Sequence, residues 1–127
     1  MVTQKNTYPK QEKLKSHHII NKMFTEGRSV SKYPLRLVCV PLEEPDEEII
    51  KMGVSVSKKY FKKAVDRNYY KRILREAYRH NKHILINKLD KPYAFMFFYQ
   101  TKDRLTFDEI NTKCIQLFEK FGAQENL

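Results

Sequence analysis

The spacing of apolar residues predicts a first helix near the start of the chain. Ser16 is suited to cap its N-terminus, Glu26 lies at its end, and Gly27 follows as a stop signal. The apolar positions between them repeat at helical spacing, at Ile19, Ile20, Met23 and Phe24. Because such a stripe is the usual core-facing side of a helix, we expect most of it to be buried.

Three further segments have the patterns of β-strands. Residues 33–41 and 49–57 alternate between two kinds of side chain, as expected for strands with different faces. One face of 49–57 is small and mostly polar: Lys51, Gly53, Ser55 and Ser57. That face could lie under a helix or form the floor of a binding groove. Residues 93–99 are nearly all apolar, which favours a core strand over an RNA-stacking sheet.

Two more helices complete the pattern. Residues 64–79 are amphipathic, residues 83–89 are predicted to be a short separate helical turn, and a capping box at Thr106 and Glu109 opens a last helix. The order of helix, strands, helix, strand and helix predicts a small α/β sandwich, with helices on a mixed or antiparallel sheet. We expect an N-terminal arm over 1–13, one domain over 14–122 and a tail over 123–127.

Positive charge is concentrated in one part of this pattern. The chain of 127 residues carries a formal net charge of +10, and residues 58–82 hold ten lysines and arginines against two acids. At 100° per residue, five cations and Asn68 share one arc of the second helix, and apolar residues occupy the opposite arc. The cations are Arg67, Lys71, Arg72, Arg75 and Arg79.

Two interpretations of this face are open, a solvated helix surface or a binding surface for a polyanion. Like charges four residues apart repel each other, and exposed helices usually mix charges of both signs. A nucleic acid would supply the missing countercharge. The charge pattern therefore favours nucleic-acid binding, with Lys58 and Lys59 at the start of the basic stretch.

The sequence gives little support for catalysis or for the binding of a metal or cofactor. There is no phosphate-binding glycine loop, no catalytic motif and no metal-ligand spacing, so we expect no catalytic residue, metal site or bound cofactor. Cys39 and Cys114 are expected to be buried free thiols. The acidic run 43–48 could bind a metal but is more typical of a solvated hairpin loop. The N-terminus lacks a signal-peptide core and no apolar run could span a membrane, so a cytoplasmic protein without a membrane partner is expected.

Four segments together resemble the protein subunit of bacterial ribonuclease P: 14–30, 53–59, 64–79 and 105–110. The resemblance implies an αβββαβα fold, an α+β two-layer sandwich with a left-handed βαβ crossover, against the usual right-handed rule. It also implies an accessory role, in which a catalytic RNA that requires Mg²⁺ removes the 5′ leader from precursor tRNA. The expected partners are that RNA, bound one to one, and the leader.

The resemblance assigns residues to two surfaces. The basic helix would bind the catalytic RNA through Lys58, Lys59, Arg67, Asn68, Lys71, Arg72, Arg75 and Arg79. A groove between the first helix and the sheet would bind the single-stranded leader through Ile20, Phe24, Val38, Ser55 and Ser57. The chain departs from the family pattern at Tyr69, which replaces an arginine, and at Ile20 and Val38, where aromatic residues are common.

Two other function classes fit parts of the sequence. A ribosomal or ribosome-assembly protein would share the small size, the basic charge and the α/β pattern. A nuclease acting without RNA would need clustered acids near the basic face, and the acidic run is the only source for them.

Overall fold

The computed structural model describes residues 17–42 and 49–125. Its elements are α1 (His17–Glu26), β1 (Arg28–Lys32), β2 (Leu35–Pro41), β3 (Ile50–Val56), α2 (Ala64–Ile86), β4 (Tyr93–Tyr99) and α3 (Phe107–Glu125). This order confirms the αβββαβα prediction. The arm 1–13 and the acidic run 43–48 lie outside the described residues, and α3 continues past the predicted domain end at residue 122.

The four strands form one mixed sheet in the order β1-β2-β4-β3. β1 and β4 pair antiparallel with β2, while β3 pairs parallel with β4. Helix α2 connects the two parallel strands, so β3, α2 and β4 form the expected βαβ unit. Its left-handed sense stays a prediction.

The two faces of the sheet are covered differently. One face carries the main core, where Leu37, Met52, Phe95 and Phe97 are completely buried against α2 and α3. On the other face, Met23 of α1 packs with Val38, Val40 and Ala94 in a smaller cluster. Helix α1 contacts the sheet at β2, which leaves the β3 side of that face without a helix.

Two sequence predictions were wrong about element boundaries. Residues 83–89 do not form a separate turn, because α2 runs without a break to Ile86 and buries Leu85 in the core. Strand β1 was missed by the pattern because only Val30 among its five residues is apolar and buried. As an edge strand it needs only one side chain that packs inward.

Gly27 makes the sharp connection between α1 and β1 possible. A β-carbon at this position would lie 2.2 Å from the carbonyl oxygen of Met23 and 2.9 Å from Val38 Cγ1. The amide of Gly27 donates a hydrogen bond to that same carbonyl at 2.9 Å. Only glycine lets the chain turn this close to α1 and enter the sheet at once.

Candidate nucleic-acid interface

The basic face of α2 consists of the five cations and the amide on its solvent-facing arc: Arg67, Asn68, Lys71, Arg72, Arg75 and Arg79. Asn68, Arg72 and Arg75 are exposed, and the other three are partly buried. The opposite arc packs into the core through Tyr70, Leu74 and Ala77. The arrangement expected from helical spacing is therefore present in the fold.

The cations at the two ends of this face have partners inside the protein. Arg67 Nη1 donates hydrogen bonds to the carbonyl oxygens of Phe61 at 3.0 Å and Lys62 at 2.7 Å. Arg79 Nη2 lies 2.7 Å from Glu76 Oε2. This hydrogen bond holds the pKa of the Glu76 carboxyl below its ordinary value. Arg67 thus fixes the segment that leads into α2, and Arg79 neutralises an acid on the helix.

The cations in the middle of the face lack such partners. Within the described residues, no ion pair involves Lys71, Arg72 or Arg75. The guanidinium of Arg72 lies 5.6 Å from the centre of the Tyr69 ring, a cation–π contact that leaves its hydrogen-bond donors available. These three cations lie close together on one helix face without an ion-pair partner in the described residues, so they present positive charge that a polyanion could neutralise.

Lys58 and Lys59 lie in the turn between β3 and α2, and both are exposed. The amide of Lys59 donates to the Ser57 hydroxyl at 3.0 Å, and the amides of Tyr60 and Phe61 donate to the Ser57 carbonyl. Ser57 therefore lies past the end of β3, where it shapes this turn. Both lysines are held close to the N-terminus of α2.

The two acids of the basic stretch are both held by arginines. Asp66 Oδ2 lies 3.2 Å from Nη2 of Arg104, which comes from the loop after β4. Glu76 is held by Arg79 as described above. Neither carboxylate is thus free to repel an approaching polyanion, and the net charge of the face is dominated by its central cations.

The groove predicted beside α1 has a floor that the strand register defines. Arg36, Phe98 and Ser55 are neighbours across β2, β4 and β3 on the face that also carries α1. The next row on this face is Val38, Met96 and Gly53. Ser55 is thus placed on the open part of the floor. Val38 lies under α1 and is only 8% exposed.

The predicted wall residues, Ile20 and Phe24, lie on one flank of α1. Met23 faces the sheet, and at 100° per residue Ile20 and Phe24 both lie to one side of it. Lys22 and Glu26 lie to the other side, where they border a surface cavity with Arg28. Phe24 is 73% exposed and Ile19 and Ile20 are only partly buried, so the expectation that most of this stripe is buried was wrong: of its four residues only Met23 is buried.

Three floor residues were missed by the sequence predictions. Arg36, Met96 and Phe98 are partly buried on the α1 side of the sheet, and Arg36 Cζ lies 5.8 Å from the centre of the Phe98 ring. The segment 93–99 is core as predicted, but alternate side chains belong to different faces. Odd-numbered Phe95 and Phe97 enter the main core, while Met96 and Phe98 face the groove. Alternation along β4 could have separated these two sets.

Two negative findings apply to residues 17–42 and 49–125. There, no three His, Cys, Asp or Glu side chains lie close enough together to hold a metal ion. No helix in that part of the chain is long and apolar enough to cross a membrane.

Comparisons with known proteins identify one family to which this chain is similar. The model of the family "Ribonuclease P" matches residues 8–122. The ribonuclease P protein component of Porphyromonas gingivalis is 43% identical over 98 residues, which cover 76% of this chain and 72% of that protein. The ribonuclease P protein component of Bacillus pumilus is 32% identical over 116 residues, covering 91% of this chain and 92% of that protein.

Solved structures show the same fold. The RNase P protein of Staphylococcus aureus superposes with a TM-score of 0.71 at 21% identity, covering 87% of this chain and 94% of that one. The RNase P protein of Thermotoga maritima superposes with a TM-score of 0.69 at 23% identity, covering 86% and 96%. With the family model matched over nearly the whole chain, and with relatives this similar over most of their length, the chain belongs to the ribonuclease P protein family.

Proposed function

We propose that this chain is the RNA-binding subunit of ribonuclease P and assists a catalytic RNA in removing the 5′ leader from precursor tRNA. The observation that carries the proposal is the row of Lys71, Arg72 and Arg75, which has no internal countercharge in the described part of the chain. A folded RNA places phosphates at spacings that such a row can contact. The protein acts in the cytoplasm, one copy for each RNA.

The chemical step belongs to the RNA. The donor set of the described protein residues does not fit Mg²⁺, because no three acidic, histidine or cysteine side chains lie close enough together there to hold a metal ion, and the two acids of the basic stretch, Asp66 and Glu76, are each held by an arginine. The Mg²⁺ that the ribonucleoprotein requires is therefore assigned to RNA ligands. The protein contributes fixed positive charge, which lowers the repulsion between two polyanions that must dock. Less Mg²⁺ is then needed to reach the same cleavage rate.

The groove beside α1 binds the leader. Unpaired bases stack on aromatic side chains, and Phe24 on the wall and Phe98 on the floor offer such surfaces. The small side chain of Ser55 leaves room for a strand of RNA above β3. Because mature tRNA has no leader to place there, the holoenzyme binds precursor tRNA more tightly than mature tRNA.

The test is cleavage of a precursor tRNA by the ribonuclease P RNA of a related bacterium at low Mg²⁺, with and without this protein. Strong stimulation is expected, and it should be lost in the Arg72→Ala/Arg75→Ala double variant. Lys113→Ala, a cation on α3, serves as the control for lost charge and should stimulate like the wild type. Equal binding of precursor and mature tRNA by the holoenzyme would refute the leader groove.

Two outcomes of this assay would replace the proposal. Tight RNA binding without any stimulation would favour a ribosomal role, since a ribosomal protein would share the basic surface but would have no part in cleavage. Cleavage by the protein alone would mean that the chain carries its own active site.

A further inference from the structure

Tyr69 is an aromatic residue on the border of the basic face. It lies between exposed Arg72 and the partly buried Ile73 around the helix, and the residue is 45% exposed. Val65, one turn earlier on the same side, is 71% exposed. Two apolar side chains are thus exposed next to each other on one flank of α2, beside the cations of the basic face.

The Tyr69 ring is held in place from below. It makes an edge contact with Tyr70, at 4.9 Å between ring centres and an interplanar angle of 88°. Tyr70 packs against Phe61 at 4.8 Å and Tyr99 at 4.7 Å, and the rings of Phe61 and Tyr99 lie 6.1 Å from each other, so the three rings form one buried cluster. This cluster fixes the position of the ring against which Tyr69 rests, so little freedom is lost when a ligand meets that side chain.

The Arg72 guanidinium lies over the same ring without a carboxylate partner in the described residues. An exposed cation–π contact is weak, so Arg72 can move aside and bind a phosphate while a flat ligand takes its place. The surface thus offers an aromatic ring for stacking and a cation for the adjoining phosphate. A nucleotide supplies both of the matching groups.

We propose that Tyr69 stacks against one unpaired nucleobase of the catalytic RNA, with Arg72 on the neighbouring phosphate. This inference rests on the proposed function and adds a contact with a base to the phosphate contacts of the face. The catalytic RNA is the source because α2 covers the face of the sheet opposite to α1 and the leader groove.

Fluorescence can test the stacking directly, since the chain has no tryptophan. Tyr69→Trp introduces a single indole at the proposed site, and Gln116→Trp places one on the exposed surface of α3, a different helix from the one that carries the basic face. Each variant is titrated with the ribonuclease P RNA, with long-chain polyphosphate and with a leader oligonucleotide, and binding is followed separately by mobility shift.

With the Tyr69→Trp variant, the catalytic RNA is expected to reduce the emission to about half or less, because a stacked base quenches indole. Polyphosphate and the leader oligonucleotide should bind without this quenching, and the Gln116→Trp variant should show none with any probe. Binding of the catalytic RNA without quenching at position 69, or equal quenching at both positions, would overturn the stacking proposal. Quenching by the leader alone would assign the ring to the substrate and overturn the choice of partner.

Affinity distinguishes stacking from a packing role. Tyr69→Leu keeps an apolar contact with Tyr70 but cannot stack on a base, so RNA binding should weaken about ten-fold. Tyr69→Phe should bind like the wild type, and neither change should alter the salt dependence, since no charge is lost. Equal affinities of the two variants would refute the proposal. Failure of the wild type to bind the RNA would instead refute the proposed function.

Discussion

Replacing Arg75 by alanine is expected to weaken RNA binding and at the same time to stabilise the protein. Arg75 is exposed, lies in the middle of the basic face and has no ion-pair partner among the described residues. Its neighbours at four residues' distance are Lys71 and Arg79, both cationic. The same substitution therefore removes a contact with RNA and a repulsion within the helix.

The effect on binding can be worked out from counterion release. One phosphate contact changes the slope of log K against log salt by about 0.9. The loss should therefore be about eight-fold at 0.1 M salt and only about two-fold at 0.5 M. Lys113→Ala removes the same charge from α3 and should leave both the affinity and the slope unchanged.

The effect on stability has the opposite sign. Relief of the repulsion with Lys71 and Arg79 should add about 0.5 kcal/mol to the free energy of unfolding, which raises the melting temperature by about 2 °C. RNA binding is measured by filter retention across a salt series, and stability by thermal unfolding. An unchanged slope in the Arg75→Ala variant, or an equal loss in the Lys113→Ala control, would refute the assignment of Arg75 to a phosphate.

Three further outcomes are expected. Phe24→Ala should change the free energy of unfolding by less than about 0.5 kcal/mol, because the ring is 73% exposed, while the preference of the holoenzyme for precursor over mature tRNA falls. Asn81→Ala should lower the free energy of unfolding by about 1–3 kcal/mol, because buried Asn81 donates a hydrogen bond to the Asn111 side chain at 2.6 Å and so connects α2 with α3. Urea unfolding measures this, and a midpoint equal to that of the wild type would contradict it. Burial raises the pKa of Tyr99 from 10.0 to about 12, so the stability contributed by the protonated phenol is complete below pH 10 and is lost as the pH rises towards 12. Tyr99→Phe should flatten the decline in stability over that range, and parallel curves for the two proteins would contradict the assignment.

The spacing of apolar and polar residues was enough to predict the helices and strands whose buried faces match that spacing. The last helix begins where its capping box predicted, with Thr106 and Glu109 exchanging hydrogen bonds between side chain and backbone. The end of α2 was missed because Asn81 and Lys82 are polar and yet buried. The side-chain amide of Asn81 donates hydrogen bonds to the carbonyl oxygen of Ala77 in α2 and to the side chain of Asn111 in α3. The second partner lies on another helix, so the residue pattern of α2 alone could not predict it.

The sequence predicted which cations share the basic face, but not which of them have partners inside the protein. Helical spacing placed Lys71 and Arg75 on one arc without any knowledge of the fold. The hydrogen bonds of Arg67 with two loop carbonyls depend on how residues 61 and 62 turn before the helix, which side-chain spacing does not encode. Phe98 was assigned to the core because its exposure depends on how far α1 extends across the sheet, a tertiary property.

The position of β4 in the sheet has a consequence for how the chain folds during synthesis. This strand lies between β2 and β3 and pairs with both, although residues 1–92 of the 127, α2 among them, precede it in the chain. Until residues 93–99 leave the ribosome, β2 and β3 lack the strand that pairs with both of them, and part of the sheet surface against which the apolar side of α2 packs is missing. We therefore expect a nascent chain that ends before β4 to be recognised by chaperones as unfolded and unable to retain RNA specifically. Assembly of the ribonucleoprotein would then begin only after most of the protein has been translated.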